Sequence, residues 1–474
     1  MTMPVLLLLA AAPAAQAPLS PEVRKYVKVS DPVVALTHVR VIDGTGAPAR
    51  EDQTVVLDHG RIAAFGPAGA TKAPAEATVL DLAGRSVMPG LVGMHNHFFD
   101  SVLATEDPPG VLGHEIAYSA PRLYLGAGVT TVRTAGNVEG FTDLEVRAQV
   151  DAGAMPGPHI DVTAPYLEDP DSGFAQMHTL KDAADARRMV EFWADEGATS
   201  FKAYMDITRA ELGAAIEAAH ARGLKVTGHL CSVTWPEAIA LGIDDFEHGP
   251  VFTDTEFVTD KKADLCPVTA ATRTWDGLDV AGPQVQALIR SLVEHNVAVT
   301  STLPVFEAST LRTPPDPRVL AAMAGIQRES YLANRAGITL ERNARYTAAL
   351  KQEMAFERAF AEAGGLLLAG PDPTGNGGTL PGYGDWRELE LLVDAGFTPL
   401  EAIHVATANG AQYLGRQKEI GTVAVGLDAD LVVVRGDPST KISEVENVEI
   451  VFKDGVGYDP ARLFESVRGT VGVR

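Results

Sequence analysis

Short apolar runs of strand length, each cut off by a polar or charged residue, recur through the centre of the chain and alternate with segments of helical periodicity. The runs end near His97, Arg133, Val162, Lys202, His229, His248, Thr302 and Ala369, which gives eight candidate strands. Strands alternating with helical patterns are the signature of a parallel α/β fold. The unit after Lys202 is the cleanest. Thr208 and Glu211 are spaced as a capping box, Leu212 to Ala219 supplies the helix, and Gly223 stops it. The following Leu224 to Gly228 run then leads to His229. Eight such units predict a (β/α)8 TIM barrel over residues 87–414, whose active site would lie at the C-terminal ends of its strands.

The chain ends read differently. Val33 to Val41 alternates around Val34, Leu36 and Val39 and breaks at Asp43-Gly44-Thr45-Gly46. Thr54–Leu57 and Arg61–Phe65 repeat the strand pattern around a His59-Gly60 turn. Ala429 to Val434 and Val448 to Phe452, with a turn at Lys453-Asp454-Gly455, form a matching block near the other end. Neither block is long enough to bury two faces alone. A small β-sandwich domain built from residues 18–86 and 415–474 is therefore expected beside the barrel.

Residues 1–17 carry a short apolar core, Val5 to Ala12, then Ala15-Gln16-Ala17, an A-x-A cleavage pattern. The core is too short to span a bilayer as a helix. A signal peptide and a periplasmic or secreted location are expected, although no Lys or Arg precedes the core and Pro18 follows the cleavage site. No mature membrane span is expected. The formal charge of −23 disfavours nucleic acid and anionic membranes as partners. Cys231 and Cys266 are too few for a disulfide framework, and whether they bridge is left open. The oligomeric state is equally open, a homo-oligomer included.

The chemistry-bearing residues sit at the strand ends. His95 and His97, two apart on a strand, would turn both imidazoles toward one point, as half of a metal site. Lys202, between Phe201 and Tyr204, ends the fourth run. His229 and His248 end the next two, and Asp372 follows the eighth. The glycine-dense stretch Thr374 to Gly384 lacks the lysine of a phosphate-binding loop. It reads as a lid over the site or as plain solvent loop.

The run Val87-Met88-Pro89-Gly90-Leu91-Val92-Gly93-Met94-His95-Asn96-His97 resembles the first-strand motif of the amidohydrolase superfamily. Ala406-Thr407-Ala408-Asn409-Gly410-Ala411 and Gly421 through Gly426-Leu427-Asp428-Ala429-Asp430-Leu431 resemble its C-terminal signatures. Within the superfamily, the chain is most similar to imidazolonepropionase-like and prolidase-like enzymes. The resemblance implies two divalent metal ions, zinc suiting the histidine-rich set best. His95 and His97 would hold the more buried ion and His229 and His248 the other. Lys202 would bridge them as a carboxylated lysine, with Asp372 as ligand and catalytic acid–base. Pro371 stands where relatives more often carry threonine, which leaves the carboxylate available.

The implied function is hydrolysis of an amide bond in a dipeptide or N-acyl amino acid-like small molecule, through a metal-bridging hydroxide. Ester or phosphoester cleavage of the phosphotriesterase or lactonase type is the alternative on the same ligands. A deaminase is disfavoured because Ser232 stands where such enzymes place a glutamate three residues after a barrel histidine. A non-catalytic paralogue is disfavoured because all six ligand positions are filled. Candidate substrate contacts, by loop position, are Tyr166, His178, Tyr204, Arg273 and Tyr383. The long stretches 249–296 and 303–364 are expected to shape the pocket.

Overall fold

The computed structural model describes residues 17–103, 111–169, 176–259, 261–267, 275–374 and 378–472. Eight central parallel strands are numbered here β1 Leu91–Asn96, β2 Val129–Thr134, β3 His159–Asp161, β4 Ser200–Ala203, β5 Lys225–Gly228, β6 Asp245–Glu247, β7 Ala298–Ser301 and β8 Leu367–Ala369. Each ends within one residue of the position expected from the apolar runs. They pair in order as β1-β2-β3 and as β4-β5-β6-β7-β8. The isolated bridge Thr163↔Ser200 joins the two sheets on one side. On the other side β8 reaches β1 through Asp372 N–H donating to the His95 carbonyl at 3.1 Å. The architecture is TIM-barrel-like, made of two arcs rather than one continuous ladder.

Local sequence explains where each element starts. The Thr208–Glu211 capping box is formed, and it opens helix α1, Arg209–Ala221. Helix α2, Leu340–Glu362, and helix α3, Tyr383–Asp394, flank β8 in sequence. The strands themselves are buried on both faces, as parallel strands covered by helices must be.

One boundary differs from the sequence reading. The run Ser86 to Met94 is not one strand: Arg85–Pro89 belongs to a second sheet, and Leu91–Asn96 begins the central one. Pro89 supplies no N–H for continued pairing. Gly90 turns its own N–H to the Asp430 carbonyl at 2.8 Å. A Cβ at Gly90 would lie 2.0 Å from Thr130 Oγ1, so the crossing needs glycine.

The two chain ends do meet. The expected pair of stacked sheets is replaced, in hydrogen-bonding terms, by one nine-stranded sheet. Its strands include Val33–Val41, Arg50–Asp58 and Arg61–Pro67 from one end and Leu431–Arg435 and Val448–Lys453 from the other. Val34, Leu36, Val55, Ile62, Val433 and Phe452 share a single apolar cluster within it. Strand Val27–Val29 pairs with Val456–Tyr458 at its edge. A hairpin, Phe99–Leu103 with Val111–Glu115, stands unannounced by the sequence pattern just after β1.

Cys231 and Cys266 are joined in a disulfide with Cα atoms 5.0 Å apart. It ties the loop after β5 to the long segment after β6. Among the described residues no helix is long and apolar enough to cross a membrane. The leader lies outside the described residues, apart from Ala17.

Candidate active site

His95 is the last-but-one residue of β1, and His97 follows its end. Their rings lie 5.2 Å apart, as the two-residue spacing predicts. β4 carries Lys202 in from the side, and its Nζ stands 3.3 Å from His95 Nε2. His229 and His248 follow β5 and β6 with ring centres 4.4 Å apart, and His248 is 4.5 Å from His95. Asp372, beyond β8, closes the ring of residues. Its Oδ1 lies 3.1 Å from His97 Nε2 and 3.4 Å from His95 Nε2, while Oδ2 lies 3.9 Å from His248 Nδ1. The fold thus brings all six expected residues to one point at the C-terminal strand ends.

Two of the six bend the backbone to get there. His248 has φ of 75° and Asp372 φ of 50°, both in the left-handed region that side-chain-bearing residues usually avoid. Such strain persists only where surrounding structure over-determines it, which is common at functional sites. Gly249, also at positive φ, takes part in the turn beside His248. Glu353 of α2 packs into that turn and accepts the Val251 N–H at 2.9 Å.

Electrostatics make the imidazoles good donors. Burial pushes His97 down to about 4 and His229 to about 3, and it holds His248 well below the usual histidine range. Neutral imidazole is the form that binds a metal. Burial also lowers the Lys202 amine, which favours the neutral form. Burial works to raise the Asp372 carboxyl, but His95, His97 and His248 together hold it well below the usual carboxylate range. The carboxylate is therefore ionised, with His95, His248 and Asp372 each offering a ligand atom within 4.8 Å of the others. A donor set of neutral imidazoles, an ionised carboxylate and a deprotonatable buried amine fits divalent cations.

Hydrogen bonds fix which ring nitrogen faces the centre. His97 Nδ1 is 2.9 Å from the Gly136 carbonyl, an acceptor, so that nitrogen carries the proton and Nε2 is free. His95 Nδ1 is 2.7 Å from Glu247 Oε2, and His248 Nδ1 is 2.8 Å from Thr302 Oγ1. Glu247 and Thr302 were not singled out from sequence. The signal for Glu247 was there: a carboxylate directly before His248 and two residues after Asp245, so on the same side of the strand.

Of the expected substrate contacts, two are placed at the centre. Tyr166 and Tyr204 pack with tilted rings 4.6 Å apart, their centres 5.6 and 6.0 Å from Lys202 Nζ. Tyr204 also touches His229 at 5.0 Å. Phe99 packs on His97 and Phe306 on His248, forming apolar walls. Two of the other candidates face elsewhere. His178 is exposed and faces Asp185 at 3.5 Å, because its loop runs over the outside of the following helix. Tyr383 opens α3 and packs on Trp386 and Phe464, 5.7 and 5.3 Å away. Arg273 lies outside the described residues. The stretch 303–364 does supply a wall, through Phe306, and 249–296 contributes Phe252 stacked on it at 3.5 Å. The glycine-dense stretch is described only in part, with Ser101 N–H donating to the Thr374 carbonyl at 3.1 Å.

Comparison with known proteins gives the same reading. A profile described as Amidohydrolase family matches residues 86–456. The imidazolonepropionase of Streptomyces griseus is 26% identical over 443 residues, covering 84% of this chain and 92% of that protein. The crystal structure of a candidate prolidase from Bifidobacterium longum superposes with a TM-score of 0.66 at 26% identity, covering 92% of this chain and 98% of that one. A Xaa-Pro dipeptidase with bound methionine superposes with a TM-score of 0.67 at 21% identity, covering 90% and 100%, and speaks for the fold alone. With nearly four-fifths of its length matched and its candidate ligands gathered at the strand ends, the chain belongs to the amidohydrolase family and is a hydrolase of C–N bonds.

Proposed function

We propose that this enzyme is a binuclear metal-dependent hydrolase of the amide bond in dipeptides or N-acyl amino acids. The observation that carries the reading is the convergence of four imidazoles, Asp372 and Lys202 beneath a tyrosine pair. His95, His97 and Asp372 would hold one divalent ion, His229 and His248 the second, and Lys202, as its carbamate, both. When bound, such ions, zinc foremost, make water nucleophilic at neutral pH and polarise a carbonyl.

The residues divide the remaining work. Asp372 is ionised, and its Oδ2 is the oxygen less engaged by His95 and His97. It takes one proton from the attacking water and returns it to the amide nitrogen as the C–N bond breaks, leaving a carboxylic acid and an amine. Burial raises the Tyr204 phenol, so it stays a hydrogen-bond donor at neutral pH and can hold a substrate carboxylate or carbonyl. Phe99 and Phe306 exclude water from the reacting bond. Ser232, where a deaminase would need an acid, is buried and donates to the Ile207 carbonyl at 2.6 Å.

The Cys231–Cys266 disulfide supports an oxidising compartment, in keeping with export. The test of function is a panel of dipeptides, N-acyl amino acids, the imidazolone named by the curated relatives, lactones and phosphotriesters, assayed with zinc-loaded enzyme. Preferential turnover of linear amides is expected. Turnover confined to esters or phosphoesters would overturn the amide reading.

A further inference from the structure

Beneath the ligand cluster lies a buried charged network that the hydrolytic steps do not use. Arg133 of β2 is 1% exposed, and Asp245 and Glu247 of β6 are fully buried. The Arg133 guanidinium spends these donors on two strands, β1 and β6. Nε donates to the Met94 carbonyl at 2.7 Å, Nη1 to Asp245 Oδ2 at 2.9 Å and Nη2 to Glu247 Oε1 at 2.8 Å. Thr227 Oγ1 donates to the same Glu247 oxygen at 2.8 Å. The other oxygen, Oε2, is the one 2.7 Å from His95 Nδ1. Asp245 is held in turn by the Thr300 hydroxyl at 2.9 Å.

We propose that Glu247, held by Arg133, is a positioning residue that fixes His95 with Nδ1 protonated and Nε2 bare toward the metal centre. The proposal rests on the metal-hydrolase reading of that centre. Its logic is a matter of donors and acceptors. A carboxylate has two acceptor oxygens, so Glu247 can receive Arg133 and Thr227 on one and His95 Nδ1–H on the other. Arg133 has no acceptor capacity and cannot turn away, because its other nitrogens are bound to Met94 and Asp245.

Replacing the carboxylate by an amide of the same shape exposes this constraint. In Glu247→Gln the amide oxygen must face Arg133, since an NH2 there would oppose a guanidinium N–H. The NH2 then faces His95, whose Nδ1 must accept. The proton moves to Nε2, and the ring can no longer offer that nitrogen to a metal. Arg133 thereby chooses the tautomer of a histidine it never touches.

The experiment measures zinc affinity by chelator competition and reads the His95 tautomer by imidazole 15N shifts in metal-free protein, assigned with His95→Gln. Glu247→Gln is expected to weaken zinc binding about 10–100-fold, the usual cost of losing such a partner. The His95 signals should move to the Nε2–H pattern. In an Arg133→Met/Asp245→Asn background, where both charges leave together, the amide is free to turn its oxygen to His95. There Glu247→Gln is expected to cost little or nothing, a rescue that a merely structural role would not produce.

Equal losses in the two backgrounds would overturn the part assigned to Arg133. Unchanged zinc affinity and a retained Nδ1–H signal in Glu247→Gln would overturn the proposal outright. If the double background does not fold, the 15N spectrum of Glu247→Gln alone decides it. A wild-type enzyme that binds zinc yet cleaves no amide would overturn only the proposed function.

Discussion

Two groups of imidazole and carboxylate stand at opposite ends of the barrel strands with nearly the same spacing and opposite character. At the C-terminal ends, Asp372 Oδ1 lies 3.1 and 3.4 Å from the Nε2 atoms of His97 and His95. At the other end His159, which opens β3, lies 3.4 Å from Asp430 Oδ2 and 3.3 Å from Asp454 Oδ1 of the terminal sheet. Distance alone would make both candidate metal sites. Proportion separates them. Imidazoles outnumber carboxylates in the first, and burial lowers His97, His229 and His248, so those rings are neutral and able to donate lone pairs. Two carboxylates face one imidazole in the second. Burial and the Lys453 ammonium work against charge on His159, yet Asp430 and Asp454 outweigh both and raise it to about 9. That ring is an imidazolium, and the group is an ion pair fastening barrel to sheet.

The lysines repeat the contrast. Lys453 Nζ faces the Asp454 carboxylate at 3.4 Å, whereas Lys202 Nζ faces His95 Nε2 at 3.3 Å. One amine is ion-paired with a carboxylate. The other is placed where a neutral amine is favoured.

The sharpest way to break the comparison is at Lys202. Lys202→Ala should reduce turnover to background, and a short-chain carboxylic acid should restore part of it by standing in for the carbamate. Lys453→Ala should leave turnover within about 2-fold, as expected of a change remote from the reacting atoms. Normal zinc content without any acid rescue would remove the carbamate from the mechanism. Asp372→Asn comes next. It should lower kcat by about 10²–10⁴-fold, the usual contribution of a general acid–base group, while zinc stays bound. Near wild-type kcat with zinc bound would show that Asp372 handles no proton.

Zinc itself sharpens the contrast further. Free zinc at about 100 times its Kd should raise the unfolding free energy by about 2.7 kcal/mol per site. That increment should survive in His159→Gln and vanish in His95→Gln/His97→Gln for the site they form. Zinc-induced stabilisation that depends on His159 would mean that the second group is a metal site after all.

The smallest effect is the pH dependence of the ion pair. His159 is raised in the folded state, so its contribution is fully present below the unfolded value near 6.5 and is lost as pH rises through about 9. Denaturation of wild type against His159→Gln should therefore differ at pH 6 and converge by pH 10. A gap that is constant with pH would mean that His159 acts by packing alone.

What the sequence made legible was set by range. The six strand-end residues could be found because each follows a local apolar run, and the barrel repeats that pattern eight times. Their partners were harder. Glu247 and Arg133 read as isolated charges in strands until β2 and β6 are brought face to face. The His159 group joins residues almost 300 positions apart, and no local pattern announces such a meeting. Tyr383 and His178 failed for the reverse reason. Loop position in a sequence says that a residue is near a strand end, not which way the loop turns. The break at Gly90 was hidden because both strands it separates are equally apolar.

The pairing of Val27–Val29 with Val456–Tyr458 carries a consequence for how this chain assembles. An early strand must wait for one of the last before its edge is covered, while the barrel between them folds. Until then an apolar sheet edge stands open to any other strand it meets. Contacts this distant in sequence also form late, because the whole intervening loop must be closed first. The final strands are therefore a gate on productive folding: a chain interrupted between residues 414 and 456 would present a nearly finished barrel with an unfinished seam, a species suited to self-association rather than catalysis.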